Sequence, residues 1–129
     1  MTAEPPPATP GGTHHATRTA IERFNRAFDS RDVDAIMAAM TEDCVFESTA
    51  PPDGTRHIGA AAVRAAWEEL FAASPDATFT VESLLVAGDR GVAQWRYDWH
   101  GEQPGHVRGV DLFWVRDRLV AAKTSYVKG

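Results

Sequence analysis

Asp111 is the residue whose type and setting could do chemistry. It sits in the run His106-Val107-Arg108-Gly109-Val110-Asp111-Leu112-Phe113-Trp114-Val115, which otherwise reads as a buried strand. Alternation sends Val107, Asp111, Phe113 and Val115 to one face and Val110, Leu112 and Trp114 to the other. Both faces are apolar, so a carboxylate between them must be desolvated, paired or set against a cavity. An unpaired buried charge costs several kcal/mol and therefore shifts its pKa or finds a partner. Asp111 is thus a candidate general acid/base. The competing reading is a structural carboxylate held by a polar neighbour.

His57, just before Ile58-Gly59, is the candidate assistant to Asp111. The plainer reading is a loop histidine. Trp67, Trp95, Tyr97 and Trp99 could stack a flat ligand, against the alternative of simple core packing. Cys44 follows Glu42 and Asp43, whose charges disfavour a thiolate, so it is not read as a nucleophile. Glu68 and Glu69 read as the exposed side of a helix. No two histidines show His-x-x-x-His spacing and a single cysteine gives no zinc motif, so neither metal nor cofactor is expected.

These residues need elements to position them. Residues 1–13 are rich in proline and glycine and read as a disordered tail, leaving 14–129 as one domain. Ala20, Ile21, Phe24, Ala27 and Phe28 recur at helical spacing. Val33, Ile36, Met37 and Met40 mark a second, short helix, and Val63, Trp67, Leu70 and Phe71 a third that ends at Ser74-Pro75-Asp76. Between the last two lie a strand at 44–48, the turn Ala50-Pro51-Pro52-Asp53-Gly54 and a brief return strand at 55–58. Four strands follow, at 78–87, 92–100, 107–116 and 119–127, joined by short turns as an antiparallel meander. Helices first and strands last give an α+β class, with helices covering one face of a curved sheet.

A chain of 129 residues with 43% hydrophobic content suits a single soluble domain with a real core. The formal net charge of -5 and the lack of a basic run argue against nucleic acid and against an anionic membrane surface. No stretch spans a membrane and no secretory signal opens the chain, so a cytoplasmic protein is expected.

Several runs carry a family likeness. They are Phe24 to Met40 followed by Glu42-Asp43-Cys44-Val45-Phe46, then Gly59-Ala60-Ala61-Ala62-Val63-Arg64, then Arg108 to Asp117. In this order they resemble the nuclear transport factor 2-like superfamily, and within it the SnoaL-like branch that includes polyketide cyclases. The resemblance implies a cone: a curved antiparallel sheet with three N-terminal helices packed on its concave face and an apolar pocket between. Asp111 and Phe113 should then face inward beside Trp95, Tyr97 and Trp99. Phe24, Phe28, Phe46, Ser48, Trp67 and Tyr126 complete the expected binding residues. The ketosteroid isomerase branch uses a tyrosine, an aspartate base and an aspartic acid where this chain has Phe24, Ser48 and Asp111, so that mechanism is not expected. The epoxide hydrolase branch needs an arginine where this chain has Gly109. The cyclase branch uses one aspartate, which Asp111 matches.

Two functions remain open at this point. One is acid/base cyclase, dehydratase or isomerase chemistry on a hydrophobic small molecule through Asp111. The other is a non-catalytic ligand-binding or dimerisation module. A homodimer is expected in either case, because Val110, Leu112 and Trp114 would form an outer apolar patch, with Leu119 and Val127 beside it and Arg96, Asp98 and Arg108 as a polar rim.

Overall fold

The apolar stripe of the first helix determines which side of the sheet is closed. In the computed structural model, which describes residues 10–129, this helix is α1 (Pro10–Asp29), and it buries Ile21, Phe24 and Phe28. It begins at Pro10, whose missing N–H costs nothing in a first helical turn, where an N–H would have no helical partner. The helix therefore begins inside the segment read as a tail, and residues 1–9 of that segment lie outside the described residues.

Helix α2 (Val33–Ala38) is capped by Asp32, whose carboxylate accepts the Ala35 N–H at 3.1 Å. Met40, expected on this helix, instead opens strand β1 (Met40–Glu47) and pairs with Val120. Strand β2 (Arg56–Ile58) returns along β1. Helix α3 (Ala60–Ala73) buries Val63 and Trp67. The meander is β3 (Thr78–Ala87), β4 (Arg90–Trp99), β5 (Gly105–Arg116) and β6 (Leu119–Val127).

The six strands form one curved sheet in the order β2-β1-β6-β5-β4-β3. All ladders are antiparallel except β1 with β6, which is parallel. The three helices close one face, giving the α+β cone. Its core is aromatic: the Phe24 ring meets Trp67 and Phe113 edge-on at 6.0 and 5.5 Å.

A bulge in β6 decides what that strand shows to the core. Arg116 pairs with Leu119 and Val115 with Val120, but Trp114 then pairs with Ala122, leaving Ala121 extra. A one-residue slip moves every later side chain to the other face. Beyond it, Lys123 and Ser125 turn inward, and Tyr126 turns out to solvent with 55% exposure. The expectation that Tyr126 lines the interior, with Val127 opposite, is thereby reversed.

Arg31 ties the helices together. It lies at φ 61 in the α1–α2 turn. Its guanidinium donates to the carbonyls of Phe71 at 2.8 Å and Ser74 at 2.6 Å, at the end of α3, and stacks on the Phe71 ring. Those carbonyls lack helical partners, and a cation there also favours the helix dipole. Arg31→Ala is expected to lower unfolding free energy by about 2 kcal/mol in urea denaturation, since charged hydrogen bonds contribute about 1.5–3 kcal/mol. An unchanged midpoint would show that the clamp contributes nothing.

Candidate active site

Strand parity places Asp111 on the inner face of β5, where it is 1% exposed. Its cross-strand partner on β6 is Ser125, and the diagonal neighbour is Lys123. The Ser125 hydroxyl donates to Asp111 Oδ1 at 2.6 Å. Lys123 Nζ lies 3.5 Å from Oδ2, a close ionic contact but too long for a strong charge-assisted bond. Oδ2 accepts no hydrogen bond from any described residue. Ala93 faces Asp111 from β4, and its small side chain adds no polar group.

Lys123 is the unexpected member. It is 4% exposed, and its ammonium sits among four rings. The centroids of Phe28, Phe46, Trp67 and Phe24 lie 4.7, 5.0, 5.0 and 5.6 Å from Nζ. Burial pushes the Lys123 pKa below the ordinary lysine range, while the Asp111 charge and contact pull the other way.

A cavity of about 560 Å³ opens above this group. Buried Phe28, Phe46, Trp95, Lys123 and Ser125 make its floor and walls. Thr49, Thr55, Glu69, Ala73 and Val127, all exposed, mark its rim. Its size and largely apolar lining suit a small-molecule ligand. Gly109 lets the Trp95 indole lie flat on β5, because a Cβ there would come 2.6 Å from Trp95 Cζ2.

The other expected site residues divide by position. Phe28, Phe46, Ser48, Trp95 and Tyr97 line the cavity. The Ser48 hydroxyl accepts the Thr55 N–H, and the Tyr97 hydroxyl shares a 2.6 Å hydrogen bond with Ser74. Phe24, Trp67 and Phe113 lie in the core beneath, packed on one another. His57 lines the cavity stacked on Phe46, and among the described residues no hydrogen bond joins it to Asp111. Trp99 does not line it: it is 39% exposed at the end of β4 and packs over Gly105. Tyr126 is on the opposite face for the reason given above. Glu69, read as a solvent-facing helix residue, is exposed but stands at the cavity rim.

Asp111 itself does not line the cavity; Lys123 and Ser125 stand between. Cys44 is fully buried, and burial, more than its acidic neighbour, pushes its thiol pKa up. Among the described residues no three His, Cys, Asp or Glu side chains gather as a metal site, and no described helix is long and apolar enough to cross a membrane.

The lowered Lys123 pKa has a stability consequence. Between that value and about 10.4 the unfolded chain binds the extra proton, so the lysine's contribution to stability rises with pH. The double variant Asp111→Leu/Lys123→Met should match or exceed the wild type near neutrality, since apolar replacement of a buried pair is often neutral or stabilising by about 1–4 kcal/mol. Its advantage should shrink as pH rises toward about 10.4. Urea denaturation across that range checks this, and an advantage that grows with pH would contradict it.

The SnoaL-like domain family matches residues 21–123 of the chain. Among solved structures, a nuclear transport factor 2-like protein of unknown function from Mesorhizobium loti is 36% identical, with a TM-score of 0.80 and 100% of each chain covered. A proposed polyketide cyclase from Xanthomonas campestris is 21% identical, with a TM-score of 0.74, covering 90% of this chain and 93% of that one. A proposed ketosteroid isomerase from Kribbella flavida is 22% identical, with a TM-score of 0.76, covering 90% and 80%. No protein with a curated description matches the chain significantly. The family match across the domain and the shared conical fold agree, and the chain belongs to the SnoaL-like family of the nuclear transport factor 2-like superfamily.

Proposed function

We propose that this protein binds a hydrophobic small molecule in the aromatic cavity and moves protons on it, in a cyclisation, dehydration or isomerisation. One observation carries the reading: a buried carboxylate and a buried amine, 3.5 Å apart, adjoin an apolar cavity of about 560 Å³. Lys123 and Ser125 touch the ligand space; Asp111 acts behind them as proton store and positioning group. The amine supplies a proton to a developing oxyanion or removes one from an acidic C–H. Asp111 resets it. An apolar wall strengthens such transfers by excluding water.

A second reading, ligand binding without catalysis, draws on the burial of Asp111 and its bond to Ser125. Self-association belongs to both. Leu112, Trp114 and Tyr126 are exposed on the outer sheet face, while Arg108 pairs with Glu82 and Arg96 with Asp98 within the chain. Those charges leave the apolar patch free for a second copy.

The neutral dye Nile red should bind the wild type with a blue-shifted emission, and Ala66→Trp, which fills the cavity from α3, should abolish that signal while retaining the fold. Dye binding that survives the substitution would place the ligand elsewhere. Deuterium uptake from solvent at the α-carbon of 2-tetralone should be accelerated, and Asp111→Asn should cut that acceleration by about 10²–10⁴-fold with dye binding intact. An unaltered rate favours the non-catalytic reading. In sedimentation, the wild type should run as a dimer and Trp114→Glu as a monomer; a monomeric wild type at micromolar concentration would refute the pairing.

A further inference from the structure

We infer that Lys123 is an imine-forming amine that captures a hydrophobic aldehyde or ketone in the cavity. The inference rests on the cavity being a ligand site, as proposed above, and goes further by naming the bond that forms and the substrate class.

Two observations lead there. Lys123 is a cavity-lining residue with an amine held between aromatic rings, where water is excluded and a lone pair is not masked by hydration. Its ionic partner among the described residues is not committed to it: at 3.5 Å, with Oδ2 accepting no hydrogen bond from any of those residues, Asp111 can take up a proton. A purely structural pair would be expected to close to about 2.8 Å and satisfy both groups.

The step balances with the groups present. The Lys123 ammonium gives one proton to Asp111, leaving a neutral amine. The nitrogen lone pair adds to the carbonyl carbon, the C–N bond forms, and the π electrons move to oxygen. A proton passes from nitrogen to that oxygen, giving a carbinolamine. Asp111 then returns its proton through the Ser125 hydroxyl, which takes it up and passes its own to the carbinolamine hydroxyl; the C–O bond breaks, and water leaves as nitrogen forms the C=N bond. Amine plus carbonyl becomes protonated imine plus water, with no redox change. The resulting cation stays within the ring cage that held the ammonium. As an electron sink it acidifies the neighbouring C–H, so the same site can cyclise or dehydrate the captured molecule.

The chain makes the test clean, because its only lysines are Lys123 and exposed Lys128. Full-length protein is incubated with 3-phenylpropanal and sodium cyanoborohydride, which fixes imines as secondary amines, and the adducts are mapped by peptide mass. The expected result is a single adduct on Lys123, formed ahead of Lys128 and the N-terminus and suppressed by Nile red. Asp111→Asn, which keeps the lysine, should slow it by about 10²-fold. If the aldehyde displaces Nile red yet only Lys128 and the N-terminus are modified, the imine is overturned and the cavity reading stands. If the wild type binds neither dye nor aldehyde, both fail together. An unchanged labelling rate in Asp111→Asn would overturn the proton shuttle.

Discussion

The contact between Lys123 and Asp111 is the constraint around which the interior is arranged. Both side chains are nearly inaccessible to water, and both point into a core made mostly of rings and aliphatic carbons, with the Ser125 hydroxyl beside them. Desolvating two charges is expensive, and their attraction offsets that cost only with good geometry and full hydrogen bonding. Here the geometry is loose, and one carboxylate oxygen accepts no hydrogen bond among the described residues. Stability alone would favour two apolar residues at these positions. The proposed proton transfer would give the pair, set next to a cavity, a use that stability does not.

The surrounding elements can be read as support for that pair. Helix α1 brings Phe24 and Phe28, β1 brings Phe46, and α3 brings Trp67, so three separate elements close on one ammonium. Each ring also packs on another, which limits how far any of them can move. Strand β5 places Asp111 between Ala93 and Ser125. The Arg31 clamp holds the far end of α3 against the α1–α2 turn and so fixes the wall that carries Ala66, Leu70 and Ala73.

Much of this was legible from residue pattern. Helical spacing located α1 and α3, and strict alternation along β5 put Asp111 and Phe113 inside and Leu112 and Trp114 outside. Lys123 was not legible, and the reason is local. A two-residue turn at Asp117-Arg118 followed by an unbroken ladder would have turned Tyr126 inward and Lys123 outward. The extra residue Ala121 inverts that parity. Nothing in Leu119-Val120-Ala121-Ala122 announces a bulge, since every side chain there suits either face. One signal was present: an inward Asp111 needs a polar neighbour on the next strand, and only the parity holding Lys123 and Ser125 places a cation beside it. Trp99 was misplaced for a different reason. Its parity is right, but β4 runs past the end of the cavity before reaching it.

The central claim, that Lys123 is a buried amine with a weakened hold on its proton beside a ligand cavity, can be measured in one spectrum. Labelling the lysine ε-carbons with ¹³C gives two signals, one for Lys123 and one for Lys128. The Lys123 signal should titrate at lower pH than that of Lys128, and it alone should shift when Nile red fills the cavity. Two signals that titrate together in the ordinary lysine range and ignore the dye would contradict it.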